Sequence, residues 1–155
     1  MPIRNIDKLV DVLPRQGRLM ALDVGEKTIG IAFSDVLRTI ASPRTTILRQ
    51  KFKQDAFKLL EFAESEEVVA IVLGLPINMN GSEGPRSQST RQFAVNLSKR
   101  TPINITFWDE RLSTIAAKRT MIEANLSRRR QKALVDKIAA AFILQGAIDF
   151  LNREK

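Results

Sequence analysis

Short apolar runs alternate with longer amphipathic segments along the chain, and the runs predict five strands. RLMALDVG and KTIGIAFSD flank the tight turn Gly25-Glu26-Lys27, a pattern typical of an antiparallel hairpin. TIASPRTTIL predicts a third strand, and its Pro43 suits an edge because proline donates no ladder hydrogen bond. The continuous run VVAIVLG is typical of a central strand covered on both faces. INITFW predicts the fifth strand.

Helical spacing of the apolar positions predicts the remaining elements. KFKQDAFKLLEFAESEE forms an amphipathic helix, and a second helix is expected from about Ser87 to Lys99. A third begins at Ser113 or Thr114 and is broken at 126–130, the segment LSRRR. The last helix is expected from about Gln131 to Leu151.

The resulting order is β-β-β-α-β-α-β-α-α. Hairpins join the first three strands, whereas helical crossovers place the later strands parallel to a neighbour. We therefore predict an α/β fold with a mixed five-stranded sheet, its first three strands antiparallel, and helices on both faces. Residues 18–155 are expected to form a single domain. Residues 1–17 are expected to be an N-terminal extension with a short helix packed on the surface.

The charge balance points to a polyanionic partner. Twenty-five Lys and Arg against 17 Asp and Glu give a net charge of +8. Nucleic acid is the usual partner of such a basic domain, although charge also serves solubility alone. No apolar run approaches the length of a membrane span, so no membrane partner is expected. Because the chain has no cysteine, the cytoplasm is the expected compartment.

Missing residue types restrict the chemistry. Without cysteine and histidine, thiolate nucleophiles, Ser-His-Asp triads and ordinary zinc sites are excluded. Acid, base or metal chemistry must fall to Asp, Glu, Lys or Arg. Carboxylates alone suit hard cations such as Mg²⁺ or Mn²⁺.

Four acids lie where predicted elements begin or end. Asp23 ends the first strand, Asp109 and Glu110 end the last strand, and Asp136 lies early in the final helix. Ligands of open sheets bind beyond the carboxyl ends of strands, so these acids meet if the first and last strands are neighbours. A divalent cation relieves their repulsion and can assist phosphoryl displacement. We predict Asp23, Glu110 and Asp136 as metal ligands; Asp109 is the weaker catalytic candidate, because successive strand residues face opposite sides.

Each acid also has a structural alternative. Asp23 could cap the following turn, and Asp109 could pair with Arg111. Glu110 could pair with a lysine, and Asp136 could be a solvated acid in the first turn of a helix.

Basic side chains near these acids are candidates for contacting nucleic acid. They are Lys27, Arg86, Arg111, Arg128, Arg129, Arg130 and Lys137. The arginine run suits a phosphate clamp or a solvated helix junction. In the loop GLPINMNGSEGPR, Asn80, Ser82 and Arg86 could reach phosphates, or the loop is an ordinary connection. Trp108 is interpreted as a packing residue.

Four segments together resemble one family. They are LDVGEKTIGIAFSD (22–35), VLGLPINMNGSEGPRS (72–87), WDERLSTIAAKR (108–119) and VDKIAAAFILQ (135–145). They resemble the YqgF/RuvX family of Holliday-junction-resolvase-like bacterial nucleases over nearly all of the chain after residue 17. Thr28 departs from the arginine common in that family, and Asn80 from its usual aspartate.

The resemblance implies an RNase H-like fold, with active-site acids at Asp23, at Glu110 or Asp109, and at Asp136. It also implies a cytoplasmic nuclease that matures the 5′ end of small-subunit ribosomal RNA precursors, or one that resolves branched DNA. By analogy with resolvases, which must cut two strands, a homodimer is possible, although the sequence does not give the oligomeric state.

Two other classes of function compete with a nuclease. The pattern DxGxxxxG also resembles the phosphate loop of actin-like ATPases and sugar kinases, although those proteins close a cleft between two such domains. A non-catalytic RNA-binding assembly factor would keep the fold and use the acids structurally.

Overall fold

The structure, a computed structural model, describes residues 3–112 and 128–154. Within these residues the strands are β1 (Arg18–Val24), β2 (Thr28–Ser34), β3 (Ala41–Leu48), β4 (Val68–Leu75) and β5 (Asn104–Asp109). The helices are α1 (Ile6–Leu9), α2 (Phe52–Ser65), α3 (Pro85–Ser98) and α4 (Arg128–Arg153), and a 3₁₀ turn spans Glu110–Leu112.

The five strands form the predicted mixed sheet in the order β3-β2-β1-β4-β5. β1 pairs antiparallel with β2, and β2 with β3, whereas β4 runs parallel to both β1 and β5. The condition that the first and last strands are neighbours is wrong, because β4 lies between them. The carboxyl ends of β1 and β5 still lie at the same end of the sheet, since β1, β4 and β5 all run in the same direction. This boundary, formed by strand ends, is called the sheet edge of the acids.

Helices cover both faces of the sheet, as predicted. One apolar cluster packs α2 and α3 against residues such as Leu22, Val24 and Leu73. The second cluster packs α4 and α1 against residues such as Ala21 and Val72. Strand residues alternate between faces, so Asp23 points to the α4 face.

The final helix begins earlier than predicted. Arg128, Arg129 and Arg130 lie at its start, so the expected break at these residues is wrong. The helix expected to begin at Ser113 or Thr114 lies outside the described residues. Across 3–112 and 128–154, no helix combines the length and apolar character needed to cross a membrane.

The segment before β1 packs closely on the domain. Leu9 is fully buried in the cluster beneath α4. The helix therefore lies at the surface, as expected, but one of its sides is part of the core. Ile3 forms a parallel bridge with Ile105 of β5. The buried guanidinium of Arg38 donates hydrogen bonds to the carbonyls of Pro14 (2.6 Å) and Gly17 (2.9 Å).

Candidate active site

Asp23 lies at the carboxyl end of β1, only 6% exposed, and pairs across the ladder with Gly30 of β2. The backbone of α4 rests directly on Gly30. A Cβ atom at that position would lie 3.0 Å from the amide nitrogen of Lys137 and would collide with the carbonyl group of Asp136. The absent side chain therefore brings Asp136 to the strand beside Asp23.

A second glycine lies on the other side of Asp23. Gly74 of β4 follows Leu73, whose register partner is Leu22, so Gly74 is level with Asp23. A Cβ atom at Gly74 would lie 2.8 Å from Oε1 of Glu110 and would collide with Ile143 of α4. Glu110 therefore lies over the same face of the sheet as Asp23 and Asp136.

Asp109 points to the opposite face and is paired there. Phe107, two residues earlier, packs with the α2 and α3 cluster. Arg111 donates to Asp109 from Nη2 (2.7 Å) and from its backbone amide (2.9 Å). The Arg111 side-chain hydrogen bonds hold the pKa of Asp109 below its ordinary value, and partial burial opposes this shift. The ion pair of Asp109 with Arg111, which was the structural alternative for this acid, is thus present. Glu110 is the acid that lies on the α4 face.

A threonine orients the acid on α4. The Thr28 hydroxyl, in a side chain that is 8% exposed, donates a hydrogen bond to Oδ2 of Asp136. Asp136 therefore accepts a hydrogen bond from β2, and because α4 begins at Arg128 it does not lie in the first turn of the helix, where the structural alternative placed it. Sequence reasoning singled out Thr28 only as a departure from the family pattern and missed this contact.

The acids have the right chemistry for a hard cation but do not form a ready-made cage. Carboxylate oxygens are the ligands that Mg²⁺ and Mn²⁺ prefer. In the part of the chain that the structure describes, no group of three or more acidic side chains is arranged to hold a metal ion. Asp23 and Glu110 each have another interaction partner. Ligation by Asp23, Glu110 and Asp136 together requires their side chains to turn toward a common point.

Hydrogen bonds among its own residues stabilise the loop that follows β4. Oδ1 of Asn80 accepts hydrogen bonds from the Ser82 amide (3.0 Å) and hydroxyl (2.6 Å). The Asn78 amide donates to the Ser82 carbonyl (2.9 Å). These contacts shape the loop at the same sheet edge as the acids, and its role toward phosphate stays a prediction.

The predicted basic contacts fall in several places around this edge. Lys27 is exposed in the β1–β2 turn, and Arg86 is exposed in the first turn of α3. Lys137 follows Asp136 on α4, and Arg111 is held by Asp109. The side chains of the arginine run at the start of α4 lie outside the described part.

Trp108 is a packing residue, as predicted. It is 4% exposed beneath α4, with its ring 6.1 Å from that of Phe150. Its neighbour Gly146 leaves the space that the indole fills, since a Cβ atom there would lie 2.8 Å from the ring. The tryptophan therefore stabilises the α4 face and presents no platform to a base.

Comparisons with known proteins agree with this arrangement. The model of the RuvX family, described as Holliday junction resolvase, matches residues 17–150. A Rhodobacter capsulatus protein named "Putative pre-16S rRNA nuclease" is 58% identical over 94% of this chain and 92% of its own length. A protein of the same name from Paracoccus denitrificans is 54% identical over 98% and 96%.

Two solved structures share the fold at low identity. Thermus thermophilus RuvC in complex with a Holliday junction substrate aligns with a TM-score of 0.52 and 13% identity, covering 82% of this chain and 91% of that one. The yeast mitochondrial Holliday junction resolvase Ydc2 aligns with a TM-score of 0.53 and 13% identity, covering 96% and 85%. The fold is therefore RNase H-like, and the chain belongs to the RuvX family of Holliday junction resolvases.

Proposed function

We propose that this protein is a divalent-metal-dependent nuclease that hydrolyses phosphodiester bonds in the precursor of small-subunit ribosomal RNA. The observation that carries the proposal is the gathering of Asp23, Glu110 and Asp136 on one face of the sheet, through contacts that only Gly30 and Gly74 permit. The names of the relatives above 50% identity support the choice of RNA.

The three acids share one role in the proposal. Asp23, on a rigid central strand, Glu110 and Asp136 would hold Mg²⁺ or Mn²⁺. The bound cation would lower the pKa of a water molecule and neutralise charge on the phosphoryl group. Thr28 positions Asp136 through its hydroxyl group. Arg111 keeps the Asp109 charge on the other face, away from this set.

Two alternatives are tested beside this proposal. The family description fits branched DNA as the substrate, and by analogy with resolvases, which must cut two strands, a homodimer would then be possible. The net charge of +8 also fits a non-catalytic RNA-binding assembly factor that keeps the fold and uses the acids structurally.

The test compares adjacent acids. Wild type, Asp23→Asn, Glu110→Gln and the matched control Asp109→Asn are incubated with a precursor ribosomal RNA fragment and with a four-way DNA junction, in Mg²⁺, Mn²⁺ or EDTA. We expect metal-dependent RNA cleavage that falls at least about 100-fold in the first two variants and persists in Asp109→Asn. Circular dichroism confirms that each variant is folded.

The remaining outcomes decide between the alternatives. Cleavage of the junction alone, by a dimer seen in sedimentation, would assign the protein to DNA. RNA binding without cleavage under any metal condition would make it an assembly factor. Equal loss in Asp109→Asn and Glu110→Gln would refute the assignment of the ligand by sheet face.

A further inference from the structure

A cleft of about 240 Å³ lies on the α3 side of the sheet edge that carries the acids. It separates the β1–β2 turn from the first turns of α3. The residues that line it and matter here are Val24, Gly25, Glu26, Arg49, Arg86 and Ser89. Consecutive Cα atoms are 3.8 Å apart, so Gly25 in its wall is within about 7 Å of Asp23.

Arg49 is held in this cleft by contacts on three sides. Its backbone amide donates to the Lys27 carbonyl (2.8 Å), and Nη1 donates to the Gly25 carbonyl (2.7 Å). The guanidinium group also lies over the Phe93 ring, 5.5 Å from its centre. A cation fixed in this way loses little side-chain entropy when a ligand binds.

The fixed cation keeps donors for a ligand. A guanidinium group has five N–H donors, and the Gly25 carbonyl takes one of them. Within the described residues, the ion pairs involve other arginines, and none includes Arg49 or Arg86. Such a fork of donors matches the oxygens of a phosphate group.

The rest of the lining is consistent with a phosphate. Arg86 is exposed and faces the cleft from α3, and the exposed Ser89 hydroxyl lies one turn further along. Glu26, exposed in the turn, is the acid in the lining, so the cleft carries one net positive charge.

We propose that this cleft binds a phosphate of the nucleic-acid strand close to the bond that is cut. The proposal rests on the proposed function and extends the binding surface to Arg49, which is the fixed contact, with Arg86 opposite. Because the acids face α4 and the cleft faces α3, the strand crosses the end of β1 over the β1–β2 turn.

The test is the salt dependence of binding by Arg49→Gln and Arg86→Gln. Arg100→Gln is the matched control, because Arg100 lies 5.5 Å over Phe52, whose ring packs 5.2 Å from Phe93, but lines no part of this cleft. Affinity for a fluorescent single-stranded RNA is measured by anisotropy in EDTA. Melting temperatures show whether each variant is folded.

The slope of log K against log salt is negative, and one lost phosphate contact makes it shallower by about 0.7. Over a fourfold rise in salt, the affinity of the variant therefore falls about 2.6-fold less than that of the wild type. We expect this shallower slope, and weaker binding, in Arg49→Gln and Arg86→Gln but not in Arg100→Gln. Slopes equal to that of Arg100→Gln in both variants would overturn the proposal. Since binding in EDTA needs no cleavage, a failed cleavage assay would refute the nuclease proposal and leave this result standing.

Discussion

Replacing Gly30 with alanine tests the packing that brings Asp136 to Asp23. The new Cβ atom would overlap the Asp136 carbonyl group, which is backbone and cannot rotate away. Helix α4 must therefore move by roughly 1 Å in an interior that is close-packed. Overpacking of this kind costs about 1–3 kcal/mol, and the rigid neighbour places Gly30→Ala in the upper part of that range.

The same movement would displace Asp136 from the other acids. A misplacement of about 1 Å at a reacting centre lowers the rate about 100-fold. A loss of about 2–3 kcal/mol lowers the melting temperature by about 4–12 °C for a domain of this size. RNA cleavage per folded molecule measures the loss of rate, and calorimetry measures the fall in melting temperature.

Gly84→Ala is the matched control for this experiment. A Cβ atom at Gly84 would lie 3.5 Å from the Asn78 side chain, an ordinary van der Waals contact, and its φ of −89° suits any residue. Gly84 is the N-cap of α3, where alanine is less favourable than glycine, so the melting temperature of Gly84→Ala should fall slightly but by less than that of Gly30→Ala. A Gly30→Ala protein as stable as Gly84→Ala would show that α4 does not rest on β2 as described.

Two further predictions follow from hydrogen bonds to carboxylates. Thr28→Val keeps the side-chain shape and removes the donor to Asp136. We therefore expect weaker Mg²⁺ activation of cleavage, and a change of only about 1 kcal/mol in the free energy of unfolding. An unchanged Mg²⁺ titration would contradict the positioning role of Thr28. Asp35 accepts from the amide of Ile40 (2.9 Å) and from the amide and hydroxyl of Thr39 (both 2.7 Å), and these bonds, the Ile40 amide first, lower its pKa from an ordinary 3.8 to about 2. Because the pKa of Asp35 is lower in the folded state, its carboxylate stabilises the fold above pH 3.8, and this stabilisation is lost as the pH falls toward 2. Asp35→Asn should therefore have a lower melting temperature than the wild type at pH 7, and the difference should vanish near pH 2.

The sheet was largely predictable because its signals are local. Each strand is a short apolar run, and the turn Gly25-Glu26-Lys27 identifies the hairpin directly. The order of strands is not a local property. The insertion of β4 between β1 and β5 depends on which parallel crossover packs best, and no single segment encodes that choice.

The site was predictable in its residue types but less so in its arrangement. Alternation indicates that Asp109 and Glu110 separate, yet the assignment of faces requires knowing that Phe107 packs under α3. Gly30 and Gly74 were visible in the motifs, but a sequence does not show which helix rests on a glycine. Arg49 gave no signal, because its fixed position comes from contacts with Gly25 and Phe93, distant in the chain.

The pairing of Ile3 with Ile105 has a consequence for self-association. An exposed sheet edge is a template for strand addition by another molecule. At β5 the bridge, together with the hydrogen bond from the Arg4 amide to the Ile105 carbonyl (2.8 Å), occupies part of that edge. At β3 the opposite edge carries Pro43 and a register irregularity, both of which disfavour strand addition. The segment before residue 17, which lies outside the family match, thus leaves less of the β5 edge open to strand addition by a second molecule.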